Sequence, residues 1–177
     1  MVKSKIAIFF DRDGTLIKNF VSKKNKPISI KKIKDIKLLK DVKYVVNNLS
    51  EKYRIIVITN QPDVSRGKDT KKNVRLINNN LKEKIKIDNF FSSYSSVETN
   101  YLRKPNPGMI MLAKNKFNLS LKKCFVVGDT EKDIIAGNRA GCKTVLIKTK
   151  YNNNIKIEPD YKLQRLNELL NILNLKP

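Results

Sequence analysis

Short apolar segments alternate with helix-like segments along most of this chain of 177 residues. The apolar segments are of strand length, and several of them, such as residues 54–59 (RIIVIT), are apolar on both faces rather than on one. Between them, apolar side chains recur at helical spacing. This alternation predicts an α/β fold, a doubly wound (Rossmann-like) parallel sheet with helices on both faces. The expected strands are residues 6–10, 54–59, 90–97, 124–127 and 144–147.

Five helices are expected around this sheet, and a single domain spanning residues 1–177 is expected to contain them. The first follows Asp41 as its cap, and the second is opened by Asp69 or Thr70. A third has Pro107 as its first residue, and a fourth follows residues 128–130 and ends at Gly141. A C-terminal amphipathic helix is expected at about 161–175. Their apolar faces carry Val42, Val45, Val46 and Leu49; Val74, Ile77 and Leu81; Met111 and Leu112; and Leu163, Leu166, Leu169, Leu170 and Leu173.

The lysine-rich stretch from about residue 14 to residue 37 has weak periodicity and one proline, so we interpret it as a long loop or flap. Apolar runs elsewhere are too short to span a bilayer, and the first one stops at Asp11, too early for a signal peptide. A cytoplasmic monomer is the expectation.

The sequence contains no histidine. This excludes Ser-His-Asp hydrolases, histidine phosphatases and any zinc site that needs imidazole. The two cysteines, Cys124 and Cys142, each begin a strand-like segment and are interpreted as small buried hydrophobic residues rather than as a disulfide. Catalysis must therefore depend on carboxylates, lysine, arginine, hydroxyls and a hard metal ion.

Polar residues follow the expected strands at the points where the strands end. In an open parallel sheet these ends lie along one edge, where ligands bind. Asp-Arg-Asp-Gly-Thr follows the first strand, Thr-Asn-Gln ends the second, Arg-Lys-Pro lies after the third, and Gly-Asp-Thr ends the fourth. Alone, each motif is more often a turn, a loop or a helix cap. Together they predict one site containing Asp11, Asp13, Thr59, Asn60, Gln61, Arg103, Lys104, Asp129 and Asp133.

The residue types in this site suit phosphate chemistry. The aspartates supply hard oxygen ligands for Mg²⁺, and a divalent cation would relieve their mutual repulsion. Lys104 and Arg103 supply positive charge for a phosphate, while Thr59 and Asn60 can donate hydrogen bonds to its oxygens. A serine would have no histidine as its base, so a carboxylate is the expected nucleophile.

The ordered motifs Asp-x-Asp-Gly-Thr, Thr-Asn-Gln, Arg-Lys-Pro and Gly-Asp-x-x-x-Asp resemble those of the haloacid dehalogenase-like phosphatases. Within them FDRDGTLI, RKPNPGM and VGDTEKDIIAGNRAGC look like the heptose bisphosphate phosphatases, which hydrolyse D,D-heptose 1,7-bisphosphate, with histidinol-phosphate phosphatases as close relatives. The resemblance covers residues 5 to about 150. It implies a haloacid dehalogenase-like fold with little or no cap domain and a Mg²⁺-dependent phosphoric monoester hydrolase.

The resemblance also implies a role for each site residue. Asp11 would be the nucleophile that becomes an aspartyl phosphate, and Asp13 the general acid and base. The Asp11 carboxylate, the Asp13 carbonyl and the Asp129 carboxylate would bind Mg²⁺. Asp133 would either orient the metal's ligands, orient the Lys104 ammonium, or be a metal ligand itself. The remaining residues would bind substrate: Thr59, Asn60, Gln61 and Lys104 around the transferring phosphoryl group, and Arg103 on the sugar or its second phosphate.

Two departures from that family's pattern affect recognition of the substrate. The family usually has a zinc loop before Arg-Lys-Pro, whereas this chain has SSYSSVETNYL, with Asn100 and Leu102 at two of the cysteine positions. Structural zinc is therefore not expected. The glycine that follows Thr-Asn-Gln-x in the family is Asp63 here. Aspartate tolerates a left-handed turn but adds negative charge near the phosphate.

The formal net charge of +22 leaves an alternative substrate open. Polynucleotide 3'-phosphatases share the Thr-Asn-Gln…Arg-Gly-Lys and Arg-Lys-Pro-x-x-Gly-Met patterns, and the charge would suit nucleic acid. However, the lysines are spread along the chain without interleaved aromatic residues, and the Gly-Asp-x-x-x-Asp motif looks like that of the sugar phosphatases. A small sugar phosphate is therefore the favoured substrate, and nucleic acid is the alternative. A catalytically inactive basic binding module is disfavoured because every catalytic position is intact.

Overall fold

A computed structural model describes residues 4–22 and 27–175. Its centre is a six-stranded sheet in which every neighbouring pair is parallel. The strand order is β5-β4-β1-β6-β7-β8, so β1 lies between β4 and β6. The bounds of these strands are Ala7–Phe10 (β1), Arg54–Asn60 (β4), Asn89–Ser93 (β5), Phe125–Gly128 (β6), Lys143–Ile147 (β7) and Tyr161–Leu163 (β8).

Helices cover both faces of the sheet, as the alternating pattern predicts. One apolar cluster contains side chains of α1, α2 and α5, and the other contains side chains of α3 and α4. Neighbouring residues of β1 divide between the two clusters, with Ile8 in the first and Phe9 in the second. The helices are Val42–Lys52 (α1), Lys71–Lys84 (α2), Gly108–Phe117 (α3), Glu131–Ala140 (α4) and Glu168–Ile172 (α5).

The observed first residues of the helices agree with those predicted from the sequence to different degrees. The Thr70 hydroxyl accepts a hydrogen bond from the Asn73 N–H at 3.0 Å, which confirms it as the cap of α2. Asp41 precedes α1 but its side chain makes no cap hydrogen bond, and its φ of 65° is left-handed. Asp41 is therefore at the predicted N-cap position, but the hydrogen bond expected of a capping side chain is not made. Pro107 lies one residue before α3 rather than in its first turn.

The C-terminal region differs most from its prediction. Instead of a helix over 161–175, the chain first adds β8 to the edge of the sheet and then forms the short helix α5. Leu163 lies in the strand and is buried, while Leu169 and Leu170 are buried from the helix. The leucine spacing could not separate these arrangements, because it places apolar side chains on the core in both. Pairing with β8 also covers the backbone edge that β7 would otherwise expose.

The segment between β1 and α1 contains little regular structure, as expected of the flap. Two short antiparallel strands, β2 (Phe20–Val21) and β3 (Pro27–Ile28), are followed by a 3₁₀ turn at Ile33–Asp35. Part of this flap, residues 23–26, lies outside the described residues. In the part of the chain that the structure describes, no helix has the length and apolarity needed to cross a membrane. Cys124 and Cys142 are both free and buried.

Candidate active site

The site lies where β1, β4 and β6 end. Because β1 pairs with both other strands, the residues that follow the three strands meet at one edge of the sheet. Asp11 directly follows β1, and its N–H donates to the Val127 carbonyl of β6 at 2.9 Å. Asp129 directly follows β6 and is fully buried. The predicted convergence of these carboxylates is observed.

Lys104 lies at the centre of the site and is 3% exposed. Its ammonium is 2.6 Å from Asp11 Oδ1 and 2.6 Å from Asp133 Oδ1, and it also donates to the Ile58 carbonyl at 2.9 Å. All three donors of the ammonium are thus used. The two carboxylates raise the pKa of Lys104 above its ordinary value although burial opposes this.

Asp133 is held in place by the first turn of α4. Its Oδ2 accepts hydrogen bonds from the Thr130 N–H at 3.0 Å and the Thr130 hydroxyl at 2.5 Å, while its Oδ1 accepts from Lys104. A Cβ added to Gly128 would lie 2.3 Å from the Asp133 side chain, so glycine is needed at the end of β6. Both Asp133 oxygens are engaged, which suits orientation of Lys104.

Asp129 is surrounded by donors that the sequence did not indicate. Thr15 donates to its Oδ1 at 3.2 Å, and the Tyr151 hydroxyl donates to its Oδ2. The Asn152 amide donates to the Asp129 carbonyl at 2.9 Å and to the Ile147 carbonyl at 2.8 Å, which joins the ends of β6 and β7. Tyr151 and Asn152 were missed because they follow β7 in a segment without a motif. Their position after a strand end was the one available signal.

Asp11, Asp129 and Asp133 form an acidic cluster suited to a metal ion. Each offers an oxygen, and these oxygens lie within 4.8 Å of one another. Burial, followed by the neighbouring carboxylates, raises the pKa of Asp11 to about 8 against the opposing effect of Lys104. Burial and Asp133 raise the pKa of Asp129 to about 6. Three buried carboxylates face one ammonium, so negative charge is in excess. A hard divalent cation that prefers oxygen ligands would bind there and balance this charge.

Asp13 is oriented by two neighbours. Arg12 donates to its Oδ2 through Nη2 at 2.9 Å, and Gln61 donates to the same oxygen at 2.8 Å. Among the described residues, the buried Asp13 Oδ1 has no hydrogen-bond partner. The fully buried Arg12 guanidinium also donates to Asn78 of α2 at 2.8 Å. Its structural role was missed, since one arginine carries no signal in a chain with 38 basic residues.

Some of the other predicted site residues hold neighbouring groups in position, and others line the cleft. The Asn60 side chain makes two hydrogen bonds to the main chain of Lys104, at 2.9 and 3.0 Å, so it positions this residue. The Thr59 hydroxyl accepts from Gln61 at 2.9 Å. Arg103 Nη1 donates to the Ser95 carbonyl at 2.9 Å, while its buried Nε has no partner within residues 4–22 and 27–175. That Asn60 and Gln61 also contact substrate stays a prediction.

An open cleft of about 620 Å³ leads to these groups. Asp11, Asp13 and Thr59 contribute to its lining together with Arg103. The flap contributes Ile28 and Ser29, and the loops after β4, β5 and β6 contribute Pro62, Arg66, Glu98 and Thr130. The start of α4 contributes Glu131 and Lys132. A cleft of this size has room for a small molecule beside Asp11.

Asp63, which departs from the resembled pattern, has a backbone φ that is not left-handed. Its carboxylate pairs with Lys31 of the flap at 2.5 Å and lies 3.5 Å from the Arg66 guanidinium. A hydrogen bond from Lys31, and then the charges of Lys31 and Arg66, lower the pKa of Asp63. Its negative charge is therefore directed to two cations at the edge of the cleft.

The parallel sheet with its acidic edge shows the haloacid dehalogenase-like fold. Residues 5–164 match the family described as polynucleotide kinase 3 phosphatase, and the chain belongs to this family.

Among known proteins, the chain is 35% identical over 164 residues to the D-glycero-alpha-D-manno-heptose-1,7-bisphosphate 7-phosphatase of Photorhabdus laumondii, covering 83% of this chain and 84% of that protein. It is 30% identical to the D-glycero-beta-D-manno-heptose-1,7-bisphosphate 7-phosphatase of Helicobacter pylori strain J99, covering 85% and 87%. The crystal structure of D,D-heptose 1,7-bisphosphate phosphatase from B. bronchiseptica, complexed with magnesium and phosphate, superposes with a TM-score of 0.81 at 21% identity over 96% of this chain and 98% of that chain. At this identity the structural likeness supports the fold.

Proposed function

We propose that this protein is a Mg²⁺-dependent phosphatase that removes the 7-phosphate of D-glycero-D-manno-heptose 1,7-bisphosphate. The observation that carries the phosphatase activity is the buried contact of Lys104 with Asp11 and Asp133 at the floor of a cleft lined by Arg103. The choice of sugar is supported by relatives at 30–35% identity that carry this activity in their names and match most of the chain.

In the proposed reaction, Asp11 is the nucleophile. Lys104 binds its Oδ1, which leaves Oδ2 for attack on phosphorus. The new oxygen–phosphorus bond forms as the bond to the sugar oxygen breaks, and water then hydrolyses the aspartyl phosphate. Asp13 protonates the leaving oxygen and afterwards takes a proton from the water, through the Oδ1 that has no partner in the described part of the chain.

The acidic cluster would bind Mg²⁺ through Asp11 and Asp129, with the Asp13 carbonyl as a further proposed ligand. When bound, the ion supplies positive charge for the phosphoryl oxygens. Asp133 keeps Lys104 in position, and the Thr59 hydroxyl donates to the same phosphoryl group.

The loop before Arg103 is held by hydrogen bonds, since the Asn106 amide donates to the carbonyls of Glu98 and Asn100 at 3.0 Å each. Because residues 91–102 contain neither cysteine nor histidine, we expect elemental analysis of the purified protein to find no stoichiometric zinc.

Phosphate release measured across a panel of substrates tests this function. The panel contains heptose 1,7-bisphosphate, heptose 7-phosphate, histidinol phosphate, phosphoglycolate and a 3'-phosphorylated oligonucleotide, each with Mg²⁺ and with a chelator. We expect the highest kcat/KM for heptose bisphosphate and no turnover after chelation.

Polynucleotide 3'-phosphatase is the second candidate, because the matching family bears that description and the chain has a net charge of +22. Faster release from the oligonucleotide than from any sugar phosphate would favour it.

A further inference from the structure

Two guanidinium groups line the cleft above the predicted nucleophile. Arg103 comes from the loop after β5 and Arg66 from the loop after β4, and both contribute to the same cavity as Asp11 and Asp13. Arg66 is 49% exposed at its side chain, whereas Arg103 as a whole is 7% exposed. The two cations therefore approach the cleft from different loops and at different depths.

Neither guanidinium is neutralised by a closely bound carboxylate. The Arg103 side chain donates to the neutral Ser95 carbonyl, and its buried Nε has no partner in the part of the chain that the structure describes. Arg66 lies 3.5 Å from Asp63, which is a long contact. The Asp63 carboxylate is bound more closely by Lys31, at 2.5 Å. Arg66 is thus only loosely held by the protein and has donors to offer a ligand.

The two positive charges also act on each other. Burial lowers the pKa of Arg103, and the Arg66 charge lowers it further, against a smaller opposing effect of Glu98. Glu98 pairs with Lys132 at 3.1 Å and is largely exposed, so it does little to offset two cations in the cleft. Like charges that face one cavity favour the binding of an anion between them.

We propose that Arg66 is a specificity-determining residue that binds, together with Arg103, the second phosphate of the bisphosphate substrate, the one that is not hydrolysed. This inference rests on the proposed function. Lys104 contacts Asp11, and Thr59 lines the cleft together with Asp11, so we assign both to the reacting phosphate, and the two arginines remain for a phosphate farther out. Guanidinium groups suit this ligand because one guanidinium can donate two parallel hydrogen bonds to two oxygens of the same phosphate. A nucleic acid would offer a backbone phosphate of the same chemistry, and the experiment distinguishes the two sources.

The test compares heptose 1,7-bisphosphate with heptose 7-phosphate, which keeps the reacting group and lacks the second phosphate. Arg66→Ala should lower kcat/KM for the bisphosphate about 10-fold, mainly through KM, because one exposed charge-assisted interaction is lost. For the 7-phosphate we expect a change of less than about 2-fold. Arg66→Lys should recover part of the loss on the bisphosphate, since the charge returns without the paired donors. Arg75→Ala, an exposed arginine of α2 that lines a different groove, is the matched control and should affect neither substrate.

Equal losses on both heptose phosphates, or an unchanged KM for the bisphosphate in Arg66→Ala, would overturn this inference and leave the proposed function intact. A larger effect of Arg66→Ala on the 3'-phosphorylated oligonucleotide than on the bisphosphate would assign the arginine to a nucleic acid and also overturn it. Failure of the wild-type protein to hydrolyse either heptose phosphate would contradict the proposed function itself, and it would be seen before any variant is compared. Melting temperatures of the variants confirm that each one is folded.

Discussion

The charged groups of the acidic cluster and those at the rim of the cleft have opposite environments. At the Lys104 contacts, the side chains of Lys104, Asp11 and Asp133 are 4%, 11% and 1% exposed. At the rim, Lys132 is 42% exposed and Glu98 is 76% exposed. Water and salt screen the rim charges but hardly reach the cluster. The cluster is therefore held in a fixed geometry, whereas in the proposed function the rim would attract and select anions through weaker interactions.

Replacement of the nucleophile should have the largest effect on activity. Asp11→Asn should reduce turnover at least about 1000-fold, because the amide cannot form the covalent intermediate. The melting temperature in chelator should be unchanged or higher, since the buried carboxylate already resists ionisation there. Steady-state kinetics and thermal melts provide the measurement. Residual turnover above a few per cent of wild type would exclude the proposed covalent mechanism.

Removal of one lysine from each region compares them directly. Lys104→Met leaves the buried Asp11 and Asp133 without their cation, so it should lower the free energy of unfolding by about 3–5 kcal/mol. Activity should fall at least about 100-fold because the phosphoryl group also loses its positive charge.

Lys132→Met, the matched change at the rim, breaks an exposed pair with Glu98 and should leave stability unchanged within error. Denaturant unfolding of both variants gives the two values. Similar losses of stability from the two substitutions would contradict the distinction between the regions.

Magnesium affinity should depend on pH because of the cluster. The pKa of Asp11 is raised to about 8 and that of Asp129 to about 6, so Mg²⁺ must displace protons at lower pH. We expect affinity to rise from pH 6 to pH 8 by up to about 10-fold per pH unit, as one proton is displaced. Calorimetric titration measures this.

The stability of the metal-free protein should change in the opposite direction. Above the ordinary aspartate pKa, the folded chain binds more protons than the unfolded chain, so the free energy of unfolding falls as pH rises toward 8. The sequence has no histidine, so no other side-chain type has its ordinary pKa between 6 and 8. Melting temperatures in chelator that rise over this range would be inconsistent with the raised pKa values.

Salt should have the smallest effect, and it acts on the rim. Between about 50 and 200 mM salt we expect kcat/KM for the bisphosphate to fall about two- to threefold, since a few partly shielded charges bind the substrate. A polynucleotide held by six or more phosphate contacts would lose about 1000-fold or more. Initial rates at several ionic strengths measure the slope, and a steep one would indicate that many surface lysines bind substrate.

The cluster was largely predictable from the sequence, and its supporting residues were not. Asp11 and Asp129 follow buried strands, so parallel pairing alone brings them to one edge of the sheet. Tyr151 reaches Asp129 because β7 pairs with β6, and no local pattern encodes that pairing. Arg66 lies at the rim through the conformation of a loop, which depends on contacts distant in sequence such as that between Lys31 and Asp63.

The paired hydrogen bonds from Asn60 to the main chain of Lys104 have an evolutionary consequence. They anchor Lys104 to the end of β4, while its neighbour Arg103 points to the cleft from the same short segment. Under the proposed function, adjacent positions would be subject to different selection, because one would take part in bond cleavage and the other in the choice of substrate. Laboratory evolution toward other phosphate esters should accordingly retain residues 60 and 104 and collect changes at 62–66 and 95–103. This anchor lets a lineage acquire new substrates without rebuilding its catalytic centre.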